Sequence, residues 1–201
     1  MQKIFLVAIY FAMISTVLLT QFGCTSQPKE EKILTKAEMV DRGKYLVDFG
    51  GCNDCHTSKI FTDMGPVFDT TRLLAGHFSD QPLPEIDTKM VQPGKWMLTN
   101  AHLTAWVGPW GISYAANLTP DNSTGIGALS EEMFIKTLRE GKMMGVGRPI
   151  LPPMPWQGIG GTLTDEDLKC IYSYLMSIKP INNKVPEPTP PDKMGTSVAA
   201  K

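Results

Sequence analysis

The sequence predicts an all-α domain interrupted by one long irregular insertion, and three observations predict it. Three segments open with helix caps and continue with apolar residues at helical spacing, beginning at Thr35, Ser130 and Thr164. Strand-like alternation is scarce along the chain. Between Thr57 and Leu129 the chain carries Pro66, Pro82, Pro84, Pro93, Pro109 and Pro120, which break any long helix there. A composition of 42% hydrophobic and 19% charged residues is that of a globular protein. A formal net charge of −1 gives no basic field of the kind that binds nucleic acid.

At the N-terminus, Ile4 to Leu19 is almost wholly apolar and follows Lys3. This is the layout of a secretory signal, and it is short for a membrane span of about 20 residues. Cys24 directly follows Gly23 and resembles the modified cysteine of a bacterial lipoprotein, although Gln21 stands where leucine is usual. Residues 1–23 are then a leader and Cys24 the lipidation site. A plain signal cut elsewhere, or an uncleaved anchor, is the alternative. Polar residues 24–34 read as a flexible tether.

Thr35 and Glu38 form a capping box, and Met39, Val40, Leu46 and Val47 line one face, so a helix is expected from Lys36 to Phe49. Gly43 in its middle costs about 1 kcal/mol of helix propensity, which a close crossing by another helix would explain.

Next comes Cys52-Asn53-Asp54-Cys55-His56. Two cysteines three apart with histidine directly after the second are the attachment signal for a c-type haem. One short turn presents both thiols to the two vinyl groups of one porphyrin. His56 then carries its imidazole under the ring centre as an iron ligand. A dithiol or a zinc site also uses C-x-x-C, but zinc needs four ligands and no second pair is present. One covalent haem c is therefore expected. In bacteria such attachment belongs to the outer side of the cytoplasmic membrane, which agrees with the leader. Cys170 reads as a small apolar residue buried in a helix.

Residues 57–129 are expected to wrap the cofactor, with Trp96, Trp106 and Trp110 as apolar cover. Weak alternation at Lys95–Leu98 and Ala105–Val107 allows a short hairpin. Ser130 then caps a helix carrying Phe134, Ile135 and Leu138, which Gly141 ends. In Pro152-Pro153-Met154-Pro155-Trp156 the prolines keep the backbone stiff and extended, as a weak thioether ligand requires. Thr164 caps the last helix, whose stripe is Leu168, Ile171, Tyr172, Leu175 and Ile178, and Pro180 ends it. Residues 182–201, with Pro186, Pro188, Pro190 and Pro191, read as a disordered tail.

The order of these elements resembles a class I c-type cytochrome. It is most similar to the haem domains in cytochrome subunits of membrane-bound alcohol and aldehyde dehydrogenases. The residues that carry the resemblance are Ala116-Asn117-Leu118-Thr119-Pro120-Asp121, Thr124-Gly125-Ile126-Gly127, Ser130 to Phe134, Met154 between prolines, and Leu163 to Leu168. Those subunits carry several haem motifs and this chain carries one. The resemblance implies the class I cytochrome c fold over 35–181, with a long loop insertion between the haem motif and the methionine region. It implies His56 as proximal and Met154 as distal iron ligand, with Met143, Met144, His77 and His102 as rivals for the distal place. It also implies that Pro66 supplies the carbonyl for the other ring nitrogen of His56, and that Trp110, Asn117 and Trp156 line the haem pocket.

The expected function is a periplasmic, lipid-tethered, single-haem carrier of one electron at a time, not an enzyme. Its partners would be redox proteins such as a dehydrogenase or terminal oxidase. An electron-accepting subunit docked to a dehydrogenase, and a haem-based gas sensor, are the alternatives.

Overall fold

The computed structural model describes residues 33–194. The leader, Cys24, nearly all of the tether and residues 195–201 lie outside the described residues.

Helix α1 spans Lys36–Phe49 and carries the expected capping box, Thr35 with Glu38. A single turn, α2, follows at Cys52–His56. Later come α3 at Glu131–Glu140, α4 at Trp156–Thr162 and α5 at Asp165–Leu175. Gly43 explains how α1 meets α5. A Cβ there would lie 1.9 Å from the Cys170 carbonyl oxygen and 2.8 Å from Cβ of Tyr174. The helices cross at that contact, and Cys170 is fully buried in it. Arg42 and Asp167 form an ion pair at 2.9 Å across the same crossing.

The all-α expectation is met in part. The insertion contains two small antiparallel sheets. Strands β1 (Lys59–Thr62) and β2 (Gly65–Phe68) form a hairpin that pairs Phe61 with Pro66. Strands β3 (Leu98–Thr99), β4 (Ala105–Gly108) and β5 (Gly111–Tyr114) form the other sheet in that order. The antiparallel pair β3–β4 matches the short hairpin expected near Lys95–Leu98 and Ala105–Val107, whereas the β1–β2 hairpin and β5 are absent from the sequence reading. Most of β1 and β2 is solvent-exposed, so that hairpin has no buried face to leave an apolar pattern. Helix α4 is also absent from the sequence reading, because Gly158, Gly160 and Gly161 hide it. Gly160 is needed there: a Cβ would lie 2.1 Å from the Leu138 carbonyl oxygen.

Two cores result. The larger gathers Leu46, Val47, Leu74, Phe134, Leu138, Leu168, Ile171 and Leu175 from the helices and the first loop. The smaller gathers Val91, Val107, Ile112 and Met194. Met194 corrects the expectation of a disordered tail, as far as that residue. Thr189 pairs with the edge residue Ile112 through two backbone bonds of 2.8 and 3.0 Å, and Asn183 and Met194 are buried. Proline suits an edge position, where a missing N–H breaks no ladder.

Candidate functional site

Gly51, with φ of +67°, turns the chain directly from α1 into α2, so that Cys52, Cys55 and His56 stand on one short helix. The two thiols are half-buried and unbridged. Burial pushes the Cys52 thiol up to about 11, with the Cys55 thiol and Asp54 adding to the shift. The Cys55 thiol is raised for the same reason, against the opposing effects of Lys59 and the neighbouring Trp106 indole. A reactive dithiol needs the reverse, a depressed pKa. Among the described residues no cluster of three or more histidine, cysteine or acidic side chains could hold a metal ion. A redox dithiol and a zinc site are both disfavoured by these surroundings.

His56 is buried, and its imidazole is pushed towards the neutral form by desolvation, opposed by its hydrogen bond to Ala116. Its Nδ1 lies 2.8 Å from the Ala116 carbonyl oxygen. A carbonyl cannot donate, so Nδ1 carries the proton and Nε2 is the nitrogen with a free lone pair. This is the tautomer a metal-ligating histidine requires, held by the hydrogen bond that such ligands commonly make. The two thiols, their spacing and this ring fit a covalently attached haem.

Pro66 does not hold that ring. It sits exposed in β2 opposite Phe61, because beyond Ser58 the chain runs outward into the hairpin. The acceptor instead comes from far along the chain. Gly76 donates its N–H to the His56 carbonyl at 2.8 Å, and Leu118 donates to the Leu74 carbonyl at 2.9 Å. These bonds bring the 74–77 turn and the 115–118 segment together beside the ring.

Met154 is half-buried and packs, like Cys52, against the larger core. Its loop is fastened to the second sheet: Ser113 Oγ donates to the Pro152 carbonyl at 2.6 Å, and Trp110 Nε1 donates to Ser113 Oγ at 3.2 Å. The rivals are placed differently. Met144 is exposed, and Met143 belongs to the same short turn. His77 is buried with Nδ1 at 2.9 Å from Thr104 Oγ1. His102 Nδ1 accepts the Lys59 backbone N–H at 3.2 Å.

The other expected pocket residues have packing partners. The Trp110 ring covers Gly108, where a Cβ would lie 2.3 Å from it. The Trp156 ring covers Gly141 in the same way, also at 2.3 Å. Asn117 acts as a bracket: its Nδ2 donates to the Ile181 carbonyl at 2.8 Å, and its Oδ1 accepts the Thr119 N–H at 2.9 Å. Two contributors escape sequence reasoning. The Ala116 carbonyl has no side-chain signature, although its segment is part of the family resemblance. Lys59 looks like any surface lysine, yet its Nζ donates to the carbonyls of Asp54, Thr57 and His102 at 2.7, 2.7 and 3.1 Å. It thus caps the C-terminal end of the haem-motif turn, where a cation is favoured.

Several known proteins are similar in sequence. The chain is 28% identical over 178 residues to the fructose dehydrogenase cytochrome subunit of Gluconobacter japonicus, covering 88% of this chain and 29% of that protein. It is 30% identical over 138 residues to the gluconate 2-dehydrogenase cytochrome c subunit of Pantoea cypripedii, covering 69% and 23%. It is 37% identical over 82 residues to the alcohol dehydrogenase (quinone) cytochrome c subunit of Gluconobacter oxydans, covering 39% and 17%. The chain thus spans less than a third of the length of each of these relatives. No family model matches it. In sequence, in helix order and in its haem-attachment signal, the chain resembles a class I c-type cytochrome of the kind found in the cytochrome c subunits of dehydrogenases.

Proposed function

We propose that this chain is an exported electron-transfer cytochrome with one covalent haem c, serving a dehydrogenase as electron acceptor. The observation that carries the reading is the His56 ring, whose Nδ1 is committed to Ala116 while Nε2 is left for a metal. Cys52 and Cys55 would anchor the haem, and His56 and Met154 would ligate its iron. Bound haem supplies one-electron oxidation and reduction at iron. The chain's own residues hold the ligand ring in one tautomer, stiffen the methionine loop and pack Cys52 and Met154 against the larger core. If His56 and Met154 both hold the iron, the protein would leave it no place for a substrate, which favours a carrier over an enzyme.

The relatives' names favour a dehydrogenase as the partner, and a terminal oxidase is the further candidate downstream. Among the described residues no helix is long and apolar enough to cross a membrane. A lipid on Cys24 would hold the chain on the periplasmic side, with the apolar segment 4–19 as the alternative anchor. Mass measurement of the exported protein tests both modifications at once, and an alkaline pyridine haem spectrum tests the thioether attachment. A product without added haem overturns the reading. Ready binding of carbon monoxide by the reduced protein would favour a gas sensor instead.

A further inference from the structure

The segment that follows the last helix reaches back to the support of His56. The Asn183 side chain is buried, and its Nδ2 donates to the Ala75 carbonyl at 2.7 Å and to the His77 carbonyl at 3.0 Å. Between those carbonyls lies Gly76, whose N–H donates to the His56 carbonyl at 2.8 Å. Gly76 has a φ of +77° and lies directly on the next segment: a Cβ would stand 2.4 Å from the Ala115 oxygen and 2.6 Å from the Ala116 carbonyl carbon. The Ala116 oxygen is the partner of His56 Nδ1. On the far side of Ala116, Asn117 Nδ2 donates to the Ile181 carbonyl at 2.8 Å, while the Ile181 N–H donates to Thr119 Oγ1 at 3.1 Å. The Asn183 N–H donates to Thr124 Oγ1 at 3.0 Å. Residues 181–183 therefore fasten both segments between which the His56 acceptor is held.

We infer that Asn183 is a positioning residue for the proximal histidine, acting through the 75–77 turn on the Ala116 carbonyl. The inference rests on the reading of His56 as a haem ligand. A buried amide that donates twice to fixed carbonyls cannot be replaced by water or by a longer side chain without moving them. If the Ala116 carbonyl retreats, Nδ1–H loses its acceptor and the imidazole becomes a weaker electron donor. A weaker donor stabilises ferric iron less, so the reduction potential rises.

The test compares Asn183→Ala and Asn183→Asp with wild type in the haem-loaded protein. Exchange of the His56 Nδ1 proton is followed by nuclear magnetic resonance of nitrogen-labelled histidine, beside a potentiometric titration. Proton exchange at least about tenfold faster and a more positive potential are expected in both variants. Asn182→Ala is the control: Asn182 is exposed and faces Asp121 and Ser123 rather than the 75–77 turn. It should match wild type in both readouts. Unchanged exchange and potential in the Asn183 variants, or an equal shift in Asn182→Ala, overturns the inference. If neither Asn183 variant folds, Thr119→Val removes the acceptor of the Ile181 N–H with little change of volume. It should shift both readouts in the same direction, and wild-type values there overturn the inference. Wild-type protein that gains no haem refutes the haem reading separately, because proton exchange at His56 still reports the Asn183 contact.

Discussion

The Nδ1 nitrogen of His56 and the carbonyl oxygen of Ala116, 60 residues apart in sequence, lie 2.8 Å from each other. The groups that hold Ala116 in place belong to the insertion and to the tail, neither of which carries the attachment motif. Pro66→Ala should therefore leave the potential and the visible spectrum of the loaded protein unchanged. A clear shift of potential in that variant would return the carbonyl role to Pro66.

On the proposed ligation by Met154, Met154→Ala should lower the potential and allow carbon monoxide or cyanide to bind readily. Absorption spectra with and without these ligands check it. A spectrum identical to wild type would assign the distal place to another residue.

Gly43→Ala should destabilise the protein by about 3 kcal/mol or more, at the upper end of overpacking costs. The added Cβ meets the backbone oxygen of Cys170 at 1.9 Å, and backbone cannot rotate away as a side chain can. Denaturant unfolding measures the loss. The same substitution at Gly158, where a Cβ meets nothing within 4 Å, should be neutral or stabilising.

Lys59→Met should cost about 2 kcal/mol, since it removes a charged donor from carbonyls that the fold has gathered round it. It should also lower the potential, because a fixed cation beside the haem turn favours the reduced state. Lys59→Arg should keep most of the potential. Equal potentials in Lys59→Met and wild type would show that the cation acts on stability alone.

Acid should weaken the fold through His77. Burial, with a smaller effect from His102, lowers its pKa to about 4, below the ordinary histidine value near 6.5. The unfolded chain then binds the proton more readily than the native one. Stability contributed by the neutral ring is present above pH 6.5 and is lost progressively as pH falls towards 4. The loss reaches about 3 kcal/mol for that interval. Unfolding of His77→Gln between pH 7 and 4 should show a shallower decline than wild type, and parallel curves would assign the acid sensitivity elsewhere.

What the order of amino acids settles unaided is local. Helix caps act within one turn, so Thr35 with Glu38, Ser130 and Thr164 place α1, α3 and α5. The C-x-x-C-H spacing needs only a single turn to bring two sulfurs and an imidazole to one side. Even a close helix crossing at Gly43 was legible, because that glycine has no local reason to stand in a helix, although the structure was needed to show α5 as the partner. Folding in three dimensions was needed for whatever depends on backbone atoms from distant segments. The carbonyl that meets His56 comes from Ala116, since a backbone acceptor has no side chain to advertise it and the chain beyond Lys59 turns away. The tail is ordered as far as Met194 because Ile112 offers an open strand edge and Asn183 finds two buried carbonyls. A proline-rich segment shows neither partner until the rest of the domain has folded.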